Sequence, residues 1–254
     1  MFYPRSYFLD WSPDGAWLLF REIDHDQIWL VSVDGQERLL LDLPVGTYGA
    51  AFAPDGRQII YTASRGLGFG SEMGFFDLTI GVHTVWRTDP YHVFAFPTWS
   101  PNGEQIAYIL MADSNIPFTT GELWLAAPAE QSATLLAQQV DAGRGFPPAW
   151  TPDGQFVSFI QRDNPTSLWA DQSFYDLHSN IYQVEIATGE KTQLTSFDQT
   201  MVYDIAWSPD GRQLAFTAQD GIWVVEPGQA PIRVSPPATV ARHPVWLVEP
   251  APSE

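Results

Sequence analysis

The sequence predicts an all-β fold, a β-propeller of four-stranded antiparallel blades, on three observations. An aromatic residue and the same tight turn recur five times: Trp11-Ser12-Pro13-Asp14-Gly15, Phe52-Ala53-Pro54-Asp55-Gly56, Trp99-Ser100-Pro101-Asn102-Gly103, Trp150-Thr151-Pro152-Asp153-Gly154 and Trp207-Ser208-Pro209-Asp210-Gly211. The turns lie 41, 47, 51 and 57 residues apart, a spacing that marks a repeat architecture. Each is followed by three short β-rich runs, which with the strand before the turn make one blade.

The turn itself has a physical logic. Proline presets φ at the first central position, Asp or Asn tolerates the second, and glycine returns the chain as a hairpin. The second strands then follow as Trp17 to Phe20, Ile59 to Thr62, Ile106 to Leu110, Phe156 to Ile160 and Leu214 to Thr217. Third strands with period-2 character are Ile28 to Val33, Gly74 to Leu78, Leu123 to Ala126, Ile181 to Ile186 and Ile222 to Val225. Beyond turn residues such as Asp34-Gly35, Thr188-Gly189 and Pro227-Gly228, fourth strands fit Glu37 to Leu41, His83 to Arg87, Thr134 to Ala137, Thr192 to Thr195 and Ile232 to Val234. The recurrent aromatics are expected to pack between neighbouring blades.

The blades so defined span roughly residues 7–43, 48–90, 95–140, 146–197 and 203–236 of a single domain, 1–249. A sixth inner strand begins at His243-Pro244-Val245-Trp246 and stops without its turn. The expectation is five blades with residues 243–249 as a closing strand. An incomplete six-bladed ring is the alternative. Residues 250–254 read as a proline-containing tail.

Composition bounds the function. The formal charge is -18 and Lys191 is the only lysine, so nucleic acid, which needs clustered cations, is set aside as a partner. No apolar run reaches membrane-span length. With no cysteine there is no disulfide framework, thiolate nucleophile or cysteine-ligated metal. The start, Met1-Phe2-Tyr3-Pro4-Arg5, shows no signal peptide, so the expected compartment is the cytoplasm, or the periplasm or exterior if a leader has been removed.

The five turns closely resemble the TolB-type, WD40-like propeller repeat, whose mark is W-S-P-D-G between the first and second strands. The resemblance covers nearly the whole chain, with Phe52-Ala53, Asn102 and Thr151 as departures. It implies a β-propeller and no single activity, because such repeats occur in TolB, in gating domains of serine peptidases and in interaction modules.

In an up-and-down blade successive turns alternate faces. The five repeated turns therefore share one rim, and the loops between second and third strands share the other. Those loops expand to roughly 10, 10 and 19 residues in blades two, three and four and stay near 4 in blades one and five, against usual hairpin lengths of about 2–5. The loop-rich rim is the candidate site. Its candidate partner-binding residues are Arg65, Glu72, Tyr91, His92, Phe118, Arg144, Arg162, Asp163, Trp169, Tyr175, Asp176 and His178. Tyr48, Phe94 and Asp198 reach the same rim, and Asp113, Asp171 and Phe174 lie in its loops. Aromatics mixed with carboxylates and arginine suit a protein or peptide partner, with a glycan as the alternative ligand.

Signals for chemistry are sparse. No G-x-S-x-G nucleophile elbow exists, and Gly66, Gly68 and Gly70 lack dinucleotide spacing. Asp24-His25-Asp26 holds metal-ligand types, but adjacent residues on a short hairpin rarely converge on one ion, so no metal or cofactor is expected. A carbohydrate-active or hydrolytic alternative would pair Asp10 and Asp204 on inner strands with Glu72. A third reading is an accessory or gating domain of a larger peptidase or cell-envelope protein, motivated by the unfinished sixth strand. The preferred reading is a non-enzymatic binding propeller of undetermined oligomeric state.

Overall fold

Four of the five repeated turns are closed by a side-chain hydroxyl bonded to the oxygen of an Asp or Asn two residues on. In the first, Ser12 Oγ donates to Asp14 Oδ1 at 2.6 Å and accepts from Trp17 N at 2.8 Å, while Asp14 Oδ1 accepts from Ala16 N at 3.0 Å. The computed structural model describes residues 6–141, 146–237, 239–242 and 244–246. The same network recurs around Ser100 and Asn102, Thr151 and Asp153, and Ser208 and Asp210. Serine and aspartate with a glycine after them also build the turn at Ser32, Asp34 and Gly35. In the second repeat Ala53 has no hydroxyl, and Asp55 keeps only its bond from Arg57 N.

Among the described residues the strands form three four-stranded sheets and one eight-stranded sheet, which divides into two further blade-like units. Blade one is β1 (Ser6–Trp11), β2 (Trp17–Glu22), β3 (Gln27–Ser32) and β4 (Arg38–Leu41). Blade two is β5 (Thr47–Phe52), β6 (Gln58–Ala63), β7 (Ser71–Asp77) and β8 (Val82–Asp89). Blade three is β9 (His92–Trp99), β10 (Ile106–Ala112), β11 (Thr120–Ala127) and β12 (Ser132–Asp141). Blade four is β13 (Ala149–Trp150), β14 (Phe156–Arg162), β15 (Ser179–Glu185) and β16 (Lys191–Gln193). Blade five is β17 (Val202–Trp207), β18 (Leu214–Ala218), β19 (Gly221–Val225) and β20 (Ile232–Arg233). All neighbouring strands are antiparallel, and one bridge, Val140 to Gln161, joins the outer strand of blade three to β14.

Both β7 and β11 start three residues before their apolar runs, so the loops before them are shorter than expected. Backbone pairing accepts polar residues when another blade satisfies their side chains. Ser71 Oγ donates to His92 O at 3.0 Å and accepts from Phe94 N at 2.8 Å.

Alternate side chains on the middle strands serve two interfaces. Ile59 and Tyr61 of blade two pack with Leu19, Ile28 and Leu30 of blade one. Ile60 and Met73 face the other way, onto Ile106 and Tyr108 of blade three. Ala107, Ile109 and Leu123 then meet Val157, Phe159 and Val184, and Ile181 and Leu194 meet Val202, Leu214 and Phe216. The turn rim repeats this stacking, each proline lying under the next blade's glycine. An added Cβ would sit 3.8 Å from Pro13 at Gly56, 3.7 Å from Pro54 at Gly103, 3.6 Å from Pro101 at Gly154 and 3.4 Å from Pro152 at Gly211.

Blade one differs on its outer side. Gly15 meets nothing within 4 Å, and Trp11 is 50% exposed where Phe52 is 7%. Among the described residues no core cluster joins blade five to blade one. Of the expected closing strand, only residues 244–246 are described. There Trp246 Nε1 donates to Ala206 O at 2.9 Å, as Trp150 Nε1 donates to Thr98 O at 3.3 Å between blades four and three. Trp246 thus contacts blade five as the inner-strand tryptophan of a following blade would.

Candidate functional site

The loop-rich rim is formed by residues 64–70, 113–119 and 163–178, and side chains from one blade hold the loop of the next. Asp113 Oδ2 accepts from Gly68 N at 2.8 Å and Gly70 N at 2.9 Å, fixing the blade-two loop to blade three. Glycine suits this close approach, since a Cβ at Gly70 would sit 2.1 Å from Asp89 O. Phe118 N donates to Asp171 O at 3.2 Å, tying the blade-three loop to that of blade four.

Arg162 is the hub of the second tie. It was expected on the binding surface, but it is 1% exposed, so direct contact with a partner is excluded by its burial. Its Nη1 donates to Asp171 Oδ1 at 2.8 Å, its Nη2 donates to Phe118 O, and Asp141 Oδ1 lies 3.6 Å away. A guanidinium supplies several donors in a fixed plane and so joins a strand end and two loops at once.

The remaining candidates divide by placement. Tyr91, Trp169 and Tyr175 are 76%, 77% and 81% exposed, and Arg65, Asp163 and Asp176 are exposed beside them. His92 is half-buried and paired with Asp89 at 3.1 Å. Asp163 accepts from Asn180 Nδ2 at 2.7 Å, and burial raises its carboxyl above the ordinary value. Asn164 links the main chains of Asp176 and His178, donating to Asp176 O and accepting from His178 N. Phe118 is half-buried, its carbonyl committed to Arg162. Glu72, expected in the loop, lies within β7, where Tyr61 Oη donates to it at 3.4 Å. Arg144 lies outside the described residues.

Leu67 and Phe69, within the blade-two stretch from Arg65 to Glu72 that the sequence offers to this face, are exposed, as is Leu168, which sequence reasoning missed. A large apolar residue beside Trp169 was the available signal. With Tyr91, Trp169 and Tyr175 they make six large apolar or aromatic side chains exposed on the loops and connections of blades two to four.

Asp10 lines a cleft of about 680 Å³ among inner-strand residues, and neither Asp204 nor Glu72 lines it. Both Asp10 oxygens are engaged, Oδ1 by Trp11 N and Oδ2 by Phe52 N, each at 2.8 Å. Burial, outweighing these two donors, pushes its pKa up to about 6. In the Asp24-His25-Asp26 hairpin, His25 pairs with Glu22, and Asp26 holds Arg21 and Gly46 N. Among the described residues, no three His, Asp or Glu side chains gather as a metal site.

The family described as "WD domain, G-beta repeat" matches residues 190–225. That segment runs from β16 through β19, an outer strand and the next three. One stretch of the chain thus matches a WD-type repeat, and the whole shares the β-propeller fold of solved structures. The TolB structure from Acinetobacter baumannii aligns over 94% of this chain and 54% of its own, with a TM-score of 0.61 and 15% identity. An oligogalacturonate lyase in complex with manganese aligns over 87% of this chain and 62% of its own, at TM-score 0.63 and 15% identity. In sequence, a 62-residue segment is 44% identical to the "Uncharacterized peptidase YuxL" of Bacillus subtilis (strain 168), 23% of this chain. The match spans 9% of that relative's length. The propeller fold is thus shared with a TolB and with a lyase.

Proposed function

We propose that this chain is a non-enzymatic β-propeller that binds a protein or peptide partner through the rim of blades two to four. The observation that carries the reading is the exposure of Leu67, Phe69, Tyr91, Leu168, Trp169 and Tyr175 on the loops and connections of these blades, with the loops held by Asp113 and Arg162. Exposed aromatics on pre-ordered loops lose little entropy on binding and supply the anchors that dominate interfaces. The surrounding carboxylates and the net charge of -18 favour a basic partner surface.

The test is the double variant Trp169→Ala, Tyr175→Ala, whose partners are captured quantitatively beside those of the unmodified protein. Loss of two exposed aromatics weakens a genuine partner by at least about tenfold. Unchanged capture of every partner would place the binding surface elsewhere.

A second reading, an accessory or gating propeller of a larger peptidase, is favoured by the segment shared with the Bacillus peptidase. A coding region that continues into a peptidase segment supports it. One that does not removes it.

A further inference from the structure

The geometry points to a second binding site, a pocket for a neutral saccharide at the junction of blades four and five. A cleft of about 530 Å³ opens there, within the usual range of about 300–1,000 Å³ for small-ligand sites. One wall is Tyr175 from the blade-four loop. Tyr203, 8% exposed, also lines the cleft and stacks on Phe146, with ring centroids 5.5 Å apart and planes 25° from parallel. The polar border is Gln199, Gln219 and the ion pair of Asp220 with Arg242, 2.8 Å apart.

These groups select a ligand class. The exposed ring of Tyr175 can take the C–H face of a pyranose ring, and side-chain amides both donate to and accept from hydroxyls. The two charges at the border neutralise one another, so the cleft offers no net charge to a strongly ionic ligand. The protein's overall charge of -18 further disfavours an anion. A neutral, polyhydroxylated molecule with an apolar face suits this lining, to which Leu177, Thr200 and Met201 also contribute.

A second observation marks the same place. Eight non-glycine residues of the described chain have left-handed φ. Gln199, Gln219 and Asp220 line this cleft, with φ of 46°, 50° and 57°, and Asp204, with φ of 57°, follows Tyr203. Gln219 and Asp220 form the two-residue turn between β18 and β19, where asparagine and glycine are the ordinary choices. A glutamine there costs on the order of 1 kcal/mol, a cost often met at ligand-binding positions.

The test is NMR titration of the protein with maltotriose, cellotriose and triacetylchitotriose, with trigalacturonate and trilysine as charged counterparts. At least one neutral trisaccharide is expected to bind saturably, with a Kd on the order of 0.1–1 mM, and to shift the side-chain amides of Gln199 and Gln219. The variant Gln199→Asn, Gln219→Asn tolerates the left-handed backbone but withdraws both amides, and should weaken binding at least about fivefold. Trp169→Ala, outside the cleft, should leave sugar binding intact while weakening capture of a protein partner, so the two sites fail separately. No saturable binding of any neutral trisaccharide, tighter binding of a charged one, or shifts confined to another surface would overturn the assignment.

Discussion

Asp10 stands at an inner-strand position where the other repeats carry Ala51, Thr98, Ala149 and Ala206. Its role follows from a neighbouring substitution. Trp150 and Trp246 each donate an indole N–H to a carbonyl of the preceding inner strand, but Phe52 has no such donor. Asp10 makes the link instead by accepting from Phe52 N. Burial raises its pKa to about 6, above its ordinary 3.8, so the native state binds a proton that the unfolded chain releases. Its contribution to stability is therefore fully present below about pH 3.8 and lost as pH rises through about 6. Asp10→Asn removes this slope, so the variant should gain on the unmodified protein by about 1–3 kcal/mol between pH 4 and pH 7. Urea unfolding at both values reads it, and a constant difference would mean that the carboxyl titrates normally. The irregularity of Asp10 was visible in the repeat alignment, but its partner was not, because Phe52 lies 42 residues away.

At the scale of elements, strands were legible and loop ties were not. Among the described residues the strands follow from turn chemistry and local alternation, but their ends moved: β7 and β11 start early at Ser71 and Thr120, β12 runs on to Asp141, and β16 stops at Gln193. The rim was legible as long loops, yet Arg162 looked like a surface cation. Nothing local announced that Asp141, Asp171 and Phe118 O would enclose it. Arg162→Met keeps apolar bulk but leaves two carboxylates without their cation, at an expected cost of about 3–5 kcal/mol in urea unfolding. Hydrogen exchange should also accelerate across residues 113–119 and 163–178. A variant with unaltered exchange in both segments would show that the loops are held by other contacts.

At the scale of the molecule, four apolar clusters and four proline–glycine contacts join the blades in series. Blade one keeps an outer face with Phe8 and Trp11 half-exposed. Equivalent tryptophans should therefore differ in energy. Trp150→Ala loses inter-blade packing and the bond to Thr98 O, and should cost about 3 kcal/mol. Trp11→Ala removes a side chain that is 50% exposed and should cost less than about 1.5 kcal/mol. Equal costs would show that another surface covers blade one in solution.

The sequence by itself determined the turn, the strands it pairs and the order of the blades, because hairpin geometry and alternation act within a few residues. Only the tertiary structure decided which loop residues face solvent, that Arg162 is enclosed, and that Tyr175, Gln199, Tyr203 and Arg242 border one cleft. Those outcomes depend on contacts between residues far apart in the chain, where burial and charge pairing override what any single segment prefers.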